Sequence, residues 1–195
     1  DDRHRTATVS ITVARMADGI CEVFWDVENC PISRGVDAAV AMTNLKRALR
    51  EDVDAGPIHS LRAYADLSRV GPEIREKLQL LGVALQDVPG HVKEAADKAM
   101  IVDMLFFALD HKPPATLVLI SGDRDFSVVL SRLSDRGYRI VLVHPRETQL
   151  SPILRSVADL ALSWVDVQQD ATSAPRGQRT LRPPRTTTTT TSSPK

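Results

Sequence analysis

Thr116-Leu117-Val118-Leu119-Ile120-Ser121-Gly122-Asp123-Arg124-Asp125 is an apolar run that breaks abruptly into small and acidic residues. The run is too short for a helix and too apolar for a half-exposed strand. It therefore reads as a strand buried on both faces, as in parallel sheets. Cys21-Glu22-Val23-Phe24-Trp25 leads in the same way into Asp26-Val27-Glu28-Asn29. Both segments thus place carboxylates at the carboxyl end of a buried strand.

Working outward, further strands are expected at Ile58 to Ala65, Val83 to Val88 and Tyr138 to Val143, with a short sixth at Ala161 to Val165. Helical spacing appears between them at about Val36 to Arg50, Pro72 to Leu81, Lys93 to Leu109, Phe126 to Arg136 and Pro152 to Ala158. Pro72 suits a first helical turn, and Pro113-Pro114 enforces a stop after the third helix. Alternating strands and helices imply an α/β fold of three layers, α/β/α, on a mainly parallel sheet of five or six strands. With the order 3-2-1-4-5, strands one and four flank the point where strand order reverses, which is where open α/β sheets bind ligands. Asp26 and Asp123 would then face each other there, with Asp66 after strand two and Asp97 in the first turns of the third helix.

Gathered carboxylates repel one another, and at neutral pH they need a cation or raised pKa values to coexist. An all-oxygen donor set suits Mg²⁺ or Mn²⁺ and not zinc.

The 195 residues, 43% of them hydrophobic, suffice for one substantial core. Residues 1–19 read as an N-terminal tail in which Val9, Ile11 and Val13 have the alternation of an edge strand; the folded domain spans 20–168. Residues 169–195 form a basic, Pro- and Thr-rich tail that cannot supply a core, so disorder is expected there. The start at Asp1-Asp2 and the low-complexity end suggest a piece of a longer protein with other domains. Two cysteines, Cys21 and Cys30, are too few for a disulfide framework or a closed zinc site, which favours a reducing compartment, cytoplasmic or nuclear. No run approaches the roughly 20 apolar residues of a membrane span, and no signal peptide is evident, so no membrane partner is expected. The formal net charge is zero. Arg176, Arg179, Arg182, Arg185 and Lys195 in the tail have no acid beside them, which leaves residues 1–170 net acidic. An acidic domain that handles a polyanion needs bound cations to supply positive charge.

Three blocks, Phe24-Trp25-Asp26-Val27-Glu28-Asn29, Ala95-Ala96-Asp97-Lys98 and Ser121-Gly122-Asp123-Arg124-Asp125-Phe126, resemble the motifs of NYN domains, in particular the limkain-type branch. The resemblance covers about residues 20–168. It implies a PIN-like fold and a metal-dependent ribonuclease, cutting RNA, single-stranded by expectation, with Asp26, Asp97 and Asp123 as metal ligands. Asp66 or Asp125 would be additional metal ligands. Glu28, Asn29 and Ser121 would orient ligands or water, and Lys93, Lys98 and Arg124 lie near enough in sequence to contact phosphates. Asp103 matches a further recurring family position, but it lies six residues after Asp97. A helix sets two such residues about 120° apart, against a shared ion.

Each residue also has a plainer role. Asp26, Asp123 and Asp125 can cap turns or helices, Asp66-Leu67-Ser68 reads as a turn, and Asp103 can satisfy a polar neighbour in the core. Phe24 and Trp25 fit core positions. Of His4, His59, His91, His111 and His144, only His91 falls near the acids in sequence, and none has ligand spacing. Two other functions compete: an NYN domain that binds RNA or protein without cutting, and a Mg-dependent phosphatase or phosphotransferase. The latter lacks both an Asp-x-Asp pair at Asp26 and a P-loop.

Overall fold

A computed structural model of the protein describes residues 19–90, 94–146 and 150–169. Six strands, β1 (Ile20–Asp26), β2 (Ile58–Ala65), β3 (Ala84–Asp87), β4 (Ala115–Ile120), β5 (Arg139–His144) and β6 (Leu160–Ser163), form one sheet in the order β3-β2-β1-β4-β5-β6. Every neighbouring pair is parallel. The expected order is therefore observed, with the sixth strand added at the β5 edge. Order reverses between β1 and β4, which run in register from Ile20 beside Ala115 to Trp25 beside Ile120.

Alternation along the central strands divides their side chains between two cores. Cys21, Val23 and Trp25 of β1 and Val118 and Ile120 of β4 face helices α1 (Ala38–Glu51), α2 (Pro72–Leu80) and α6 (Trp164–Gln168). Phe24, Leu117 and Leu119 face α3 (Ala95–Asp110), α4 (Ser127–Asp135) and α5 (Pro152–Val157). Phe24 and Trp25 are thus fully buried core residues. Asp37 caps α1 by accepting from the Ala39 amide at 2.7 Å, and Pro72 opens α2 as its ring geometry favours.

One boundary departs from the pattern in the sequence. The sixth strand was expected to reach Val165, but it ends at Ser163, whose hydroxyl accepts from the Asp166 amide and caps α6. Trp164 is apolar in either conformation, so periodicity could not separate them. It packs on Trp25 with ring centroids 5.4 Å apart. Helix α3 shows a second departure, because it is apolar around its whole circumference: Met100, Met104 and Phe107 are buried while Val102, Leu105, Phe106 and Leu109 are exposed. No helix among the described residues is long and apolar enough to cross a membrane. The expected edge strand at Val9 to Val13 and the tail from 170 onward lie outside the described residues.

The two-sided core makes a sharp contrast testable by urea denaturation. Leu119 has no exposure, and Leu119→Ala is expected to cost about 2–5 kcal/mol through lost burial and a residual cavity. Leu80 on α2 is 81% exposed, and Leu80→Ala should stay within about 0.5 kcal/mol of the parent.

Candidate functional site

The carboxyl ends of β1 and β4 are stitched together by side chains. Asp26 is 6% exposed; its Oδ1 accepts from the Asn29 amide at 3.0 Å and its Oδ2 from the Ser121 hydroxyl at 3.1 Å. The Ser121 oxygen in turn accepts from the Asp123 amide at 3.1 Å, and Asn29 Oδ1 accepts from the Gly122 amide at 2.8 Å. Gly122 is needed for this approach, since a Cβ there would stand 2.9 Å from Pro145 Cδ and 3.2 Å from Asn29 Oδ1. Asp123 Oδ1 accepts from the Asp125 amide at 2.9 Å, so Asp123 caps the short 3-10 turn Arg124–Phe126.

These residues wall a cleft of about 370 Å³ shared by Asp26, Glu28, Asn29, Asp66, Glu94, Asp97 and Asp123 with the apolar Val88, Pro89, Gly90, Ala95 and Ala96. Among the described residues, six of its walls are acidic and none is basic. Asp97 enters from the first turn of α3, where the helix macrodipole favours a carboxylate. Burial, reinforced by the charges of Asp26, Asp123, Asp125 and Glu94, pushes its pKa up to about 6. Burial also raises Asp26 above the ordinary carboxylate range, against the hydrogen bonds from Asn29 and Ser121 and with the help of Glu28 and Asp123.

Asp66 lines the same cleft but is already engaged. It accepts from the Ser68 amide at 3.0 Å and from the Ser68 hydroxyl, and it pairs with Arg69 at 3.3 Å. The Ser68 hydroxyl chiefly holds its pKa below the usual value. Asp125 is exposed and off the cleft wall, 4.0 Å from Arg124, and reaches the site only through its charge on Asp97. Lys98 is exposed and pairs with Glu94 at 3.6 Å, while Lys93 and His91 lie outside the described residues. Asp103 points elsewhere: it accepts from the Tyr64 hydroxyl at 2.6 Å and pairs with Arg62 at 3.3 Å. Arg62 also lies 3.1 Å from the buried Glu22. Sequence reasoning passed over Glu22, Arg62 and Tyr64, although an acid inside a buried apolar strand signals the need for a cation nearby. It also missed Glu94, whose left-handed backbone (φ 60°) carries no local signature in a non-glycine residue.

The donor set is all oxygen, as hard divalent cations require, and no described Lys or Arg pairs with Asp26, Asp97 or Asp123. Among the described residues no three acidic, histidine or cysteine side chains stand close enough to hold one ion together. Mg²⁺ keeps several waters and often takes only one or two carboxylates directly. The side chains therefore fit such an ion in kind, with the remaining positions left to water or phosphate oxygen.

The raised pKa of Asp97 has a consequence for stability. Between its ordinary value of 3.8 and about 6 the folded state holds more protons than the unfolded chain. Stability therefore falls as pH rises through that window and stays lower above it. In EDTA, Asp97→Asn is expected to stabilise the protein at pH 7.5 by on the order of 1 kcal/mol, after discounting for solvent screening, with little gain at pH 3.5. Urea midpoints at the two pH values measure this, and equal midpoints for variant and parent at pH 7.5 would contradict the electrostatic account.

Comparison with known proteins accords with the geometry. A curated relative described as "Meiosis regulator and mRNA stability factor 1" from Gallus gallus is 33% identical over 127 residues, 64% of this chain. The protein of the same description from Xenopus tropicalis is 34% identical over 127 residues. In each case the match covers only 7% of the relative's length. A crystal structure of a protein of unknown function from Vibrio parahaemolyticus superposes with a TM-score of 0.54 at 21% identity, covering 74% of this chain and 92% of that one. That likeness concerns the fold alone. The family model described as "NYN domain" matches residues 21–165, nearly all of the described fold, and the chain belongs to the NYN domain family.

Proposed function

We propose that the domain is a metal-dependent ribonuclease that hydrolyses RNA phosphodiester bonds endonucleolytically at the aspartate cluster, using Mg²⁺ or Mn²⁺. One observation carries this reading. Asp26, Asp97 and Asp123, from β1, α3 and the end of β4, wall a single cleft in which no basic side chain among the described residues offsets them. Such an arrangement destabilises the fold unless a cation answers it. The name of the relatives, with its reference to mRNA stability, supports RNA as the substrate class.

In this reading Asp26 and Asp123 hold the ion. A bound divalent cation supplies charge stabilisation to a phosphoryl oxygen and makes water a stronger nucleophile near neutral pH. Asp26 is held still for its role by the Ser121 hydroxyl and the Asn29 amide. Ser121 couples the two strand ends, because the oxygen that donates to Asp26 also accepts from the Asp123 amide. Asp97, with a pKa near 6, has the basicity that proton abstraction at neutral pH favours, and its carboxylate accepts the proton of the attacking water. The Asn29 side-chain oxygen accepts from the Gly122 amide, and its NH₂ group would be the donor available to a phosphate oxygen in the cleft that Asn29 lines. The site needs no covalent nucleophile from the protein.

Cleavage of a fluorogenic single-stranded RNA in Mg²⁺ or Mn²⁺ tests the reading. Asp26→Asn and Asp97→Asn are each expected to slow it by about 10²-fold or more. The rate should climb with pH to a plateau above about 6 as Asp97 loses its proton. A circular RNA, which has no ends, should be opened. An Asp26→Asn protein that cleaves as fast as the parent removes the mechanism, and a parent that retains RNA without cutting it marks a binding module instead.

A further inference from the structure

A second cleft, of about 400 Å³, lies against the first. It opens between the carboxyl ends of β1 and β2 and the start of α2, and its walls include Val27, Pro31, Ile32, Val70 and Ile74. Glu28 and Asp66 line both clefts, so a single ridge separates acidic walls on one side from apolar walls on the other. We propose that this apolar cleft is a nucleobase subsite, which takes an unstacked base of the RNA strand whose phosphate lies in the acidic cleft. The inference rests on RNA being the substrate.

Three properties of the cleft select this occupant. Its apolar walls suit a flat heteroaromatic ring, whereas a second phosphate would meet the carboxylates of Glu28 and Asp66 at the rim. Of the two, Asp66 is already engaged by Ser68 and Arg69, and the Glu28 carboxylate is the rim acceptor to which the N–H-bearing edge of a base is complementary. Arg69, paired with Asp66 and with 68% of its side chain exposed, stands at the same rim, where a guanidinium can lie flat on a base. The volume falls within the ordinary range for a small-molecule pocket, about 300–1,000 Å³, and so exceeds what one base needs. The floor is firm, since Trp25, Ala65 and Leu78 belong to the core and Pro72 fixes the first turn of α2. Ile74 is 46% exposed at the mouth, so apolar surface is presented directly beside the acids.

The geometry also limits the form of the nucleic acid. An unpaired base enters such a cleft without the cost of breaking a pair, so single strands, loops and ends are favoured over a duplex.

The test is a titration of the full chain, methyl-labelled at Ala, Ile and Val, in Mg²⁺ with each nucleoside 5′-monophosphate and with ribose 5-phosphate, up to about 10 mM. Ile32, Val70 and Ile74 methyls are expected to shift with nucleotides and not with ribose 5-phosphate, and Ile74→Asp should weaken the apparent affinity about five- to tenfold. The more conservative Ile32→Ala should weaken it in the same direction with the fold undisturbed. Shifts confined to Ala95 and Ala96 in the acidic cleft, alike for both kinds of ligand, would overturn the base subsite and leave the RNA reading standing. No shift at either cleft would overturn both. Shifts at Ile32 and Ile74 on adding the apolar dye ANS, with none from nucleotides, would identify a protein-docking groove and overturn the subsite.

Discussion

The join between β1 and β4 is the constraint on which the remainder of the structure turns. Parallel neighbours at a strand-order reversal have no crossover helix between them, so their carboxyl ends open into a crevice. Here the crevice is fixed by hydrogen bonds that cross it, Asp26 to Ser121 and Asn29 to Gly122. Those bonds form only if the two strands hold one register, and the register is set by residues buried on both faces. A one-residue slip of β4 would exchange Val118 and Ile120 with Leu117 and Leu119 between the two cores. The apolar core therefore specifies the separation of Asp26 and Asp123 as firmly as any contact within the site. Gly122 completes the join, because only a residue without a Cβ allows Pro145 and Asn29 to close on the turn.

A second polar tie performs the same task for the helix that carries Asp97. Glu22 and Arg62 come from the two adjacent strands β1 and β2, and Arg62 reaches on to Asp103, which also accepts from Tyr64. Asp103 and Asp97 share α3, so this cluster pins the rotation and height of the helix against the sheet. Burial holds the Glu22 carboxyl above the usual range, although Arg62 opposes the shift. A buried ion pair contributes little net stability when its partners are both present, and its removal from one side is costly. Its value in such a place is to select one docking of an otherwise uniformly apolar helix. Helix α3 has no polar face to choose its own orientation, and Asp103 supplies the choice.

Much of this was legible from the chain, for reasons that differ between elements. The central strands announced themselves because a parallel strand covered on both sides reads as a continuous apolar run, as in Leu117 to Ile120. The convergence of Asp26 and Asp123 followed from topology, since acids directly after two such strands must meet if the strands are neighbours. Asp97 followed from the second motif block, Ala95-Ala96-Asp97-Lys98. The assignments weakened where side-chain engagement decides the matter. Asp66 sits on the cleft as its position suggested, yet Ser68 and Arg69 occupy its oxygens, a detail that depends on the turn after β2. Asp125 lies two residues after the capping Asp123, within the 3-10 turn, and is exposed and off the cleft wall. The strand-to-helix change at Ser163 escaped because Trp164 and Val165 are apolar in either conformation.

The electrostatics of the cleft argue for a cation more strongly than the geometry alone. A proton is itself a small cation, so a raised pKa partly measures the potential that any positive ion would meet at that point. For Asp97 the largest cause is burial, which penalises the anion without attracting an ion from water. The next causes are the charges of Asp26, Asp123, Asp125 and Glu94, and these favour a divalent ion about twice as strongly as a proton, since the interaction scales with charge. Protons and divalent ions thus compete for one field, and near neutral pH the proton has largely left Asp97. The field that disfavours the apo fold is then the same field that would gather the ion. With acids on six of its described walls, the cleft is unfavourable to a polyanion without a bound cation. Under the proposed function, cation binding must precede or accompany the arrival of the phosphate, which makes the order of assembly a property of the charge distribution.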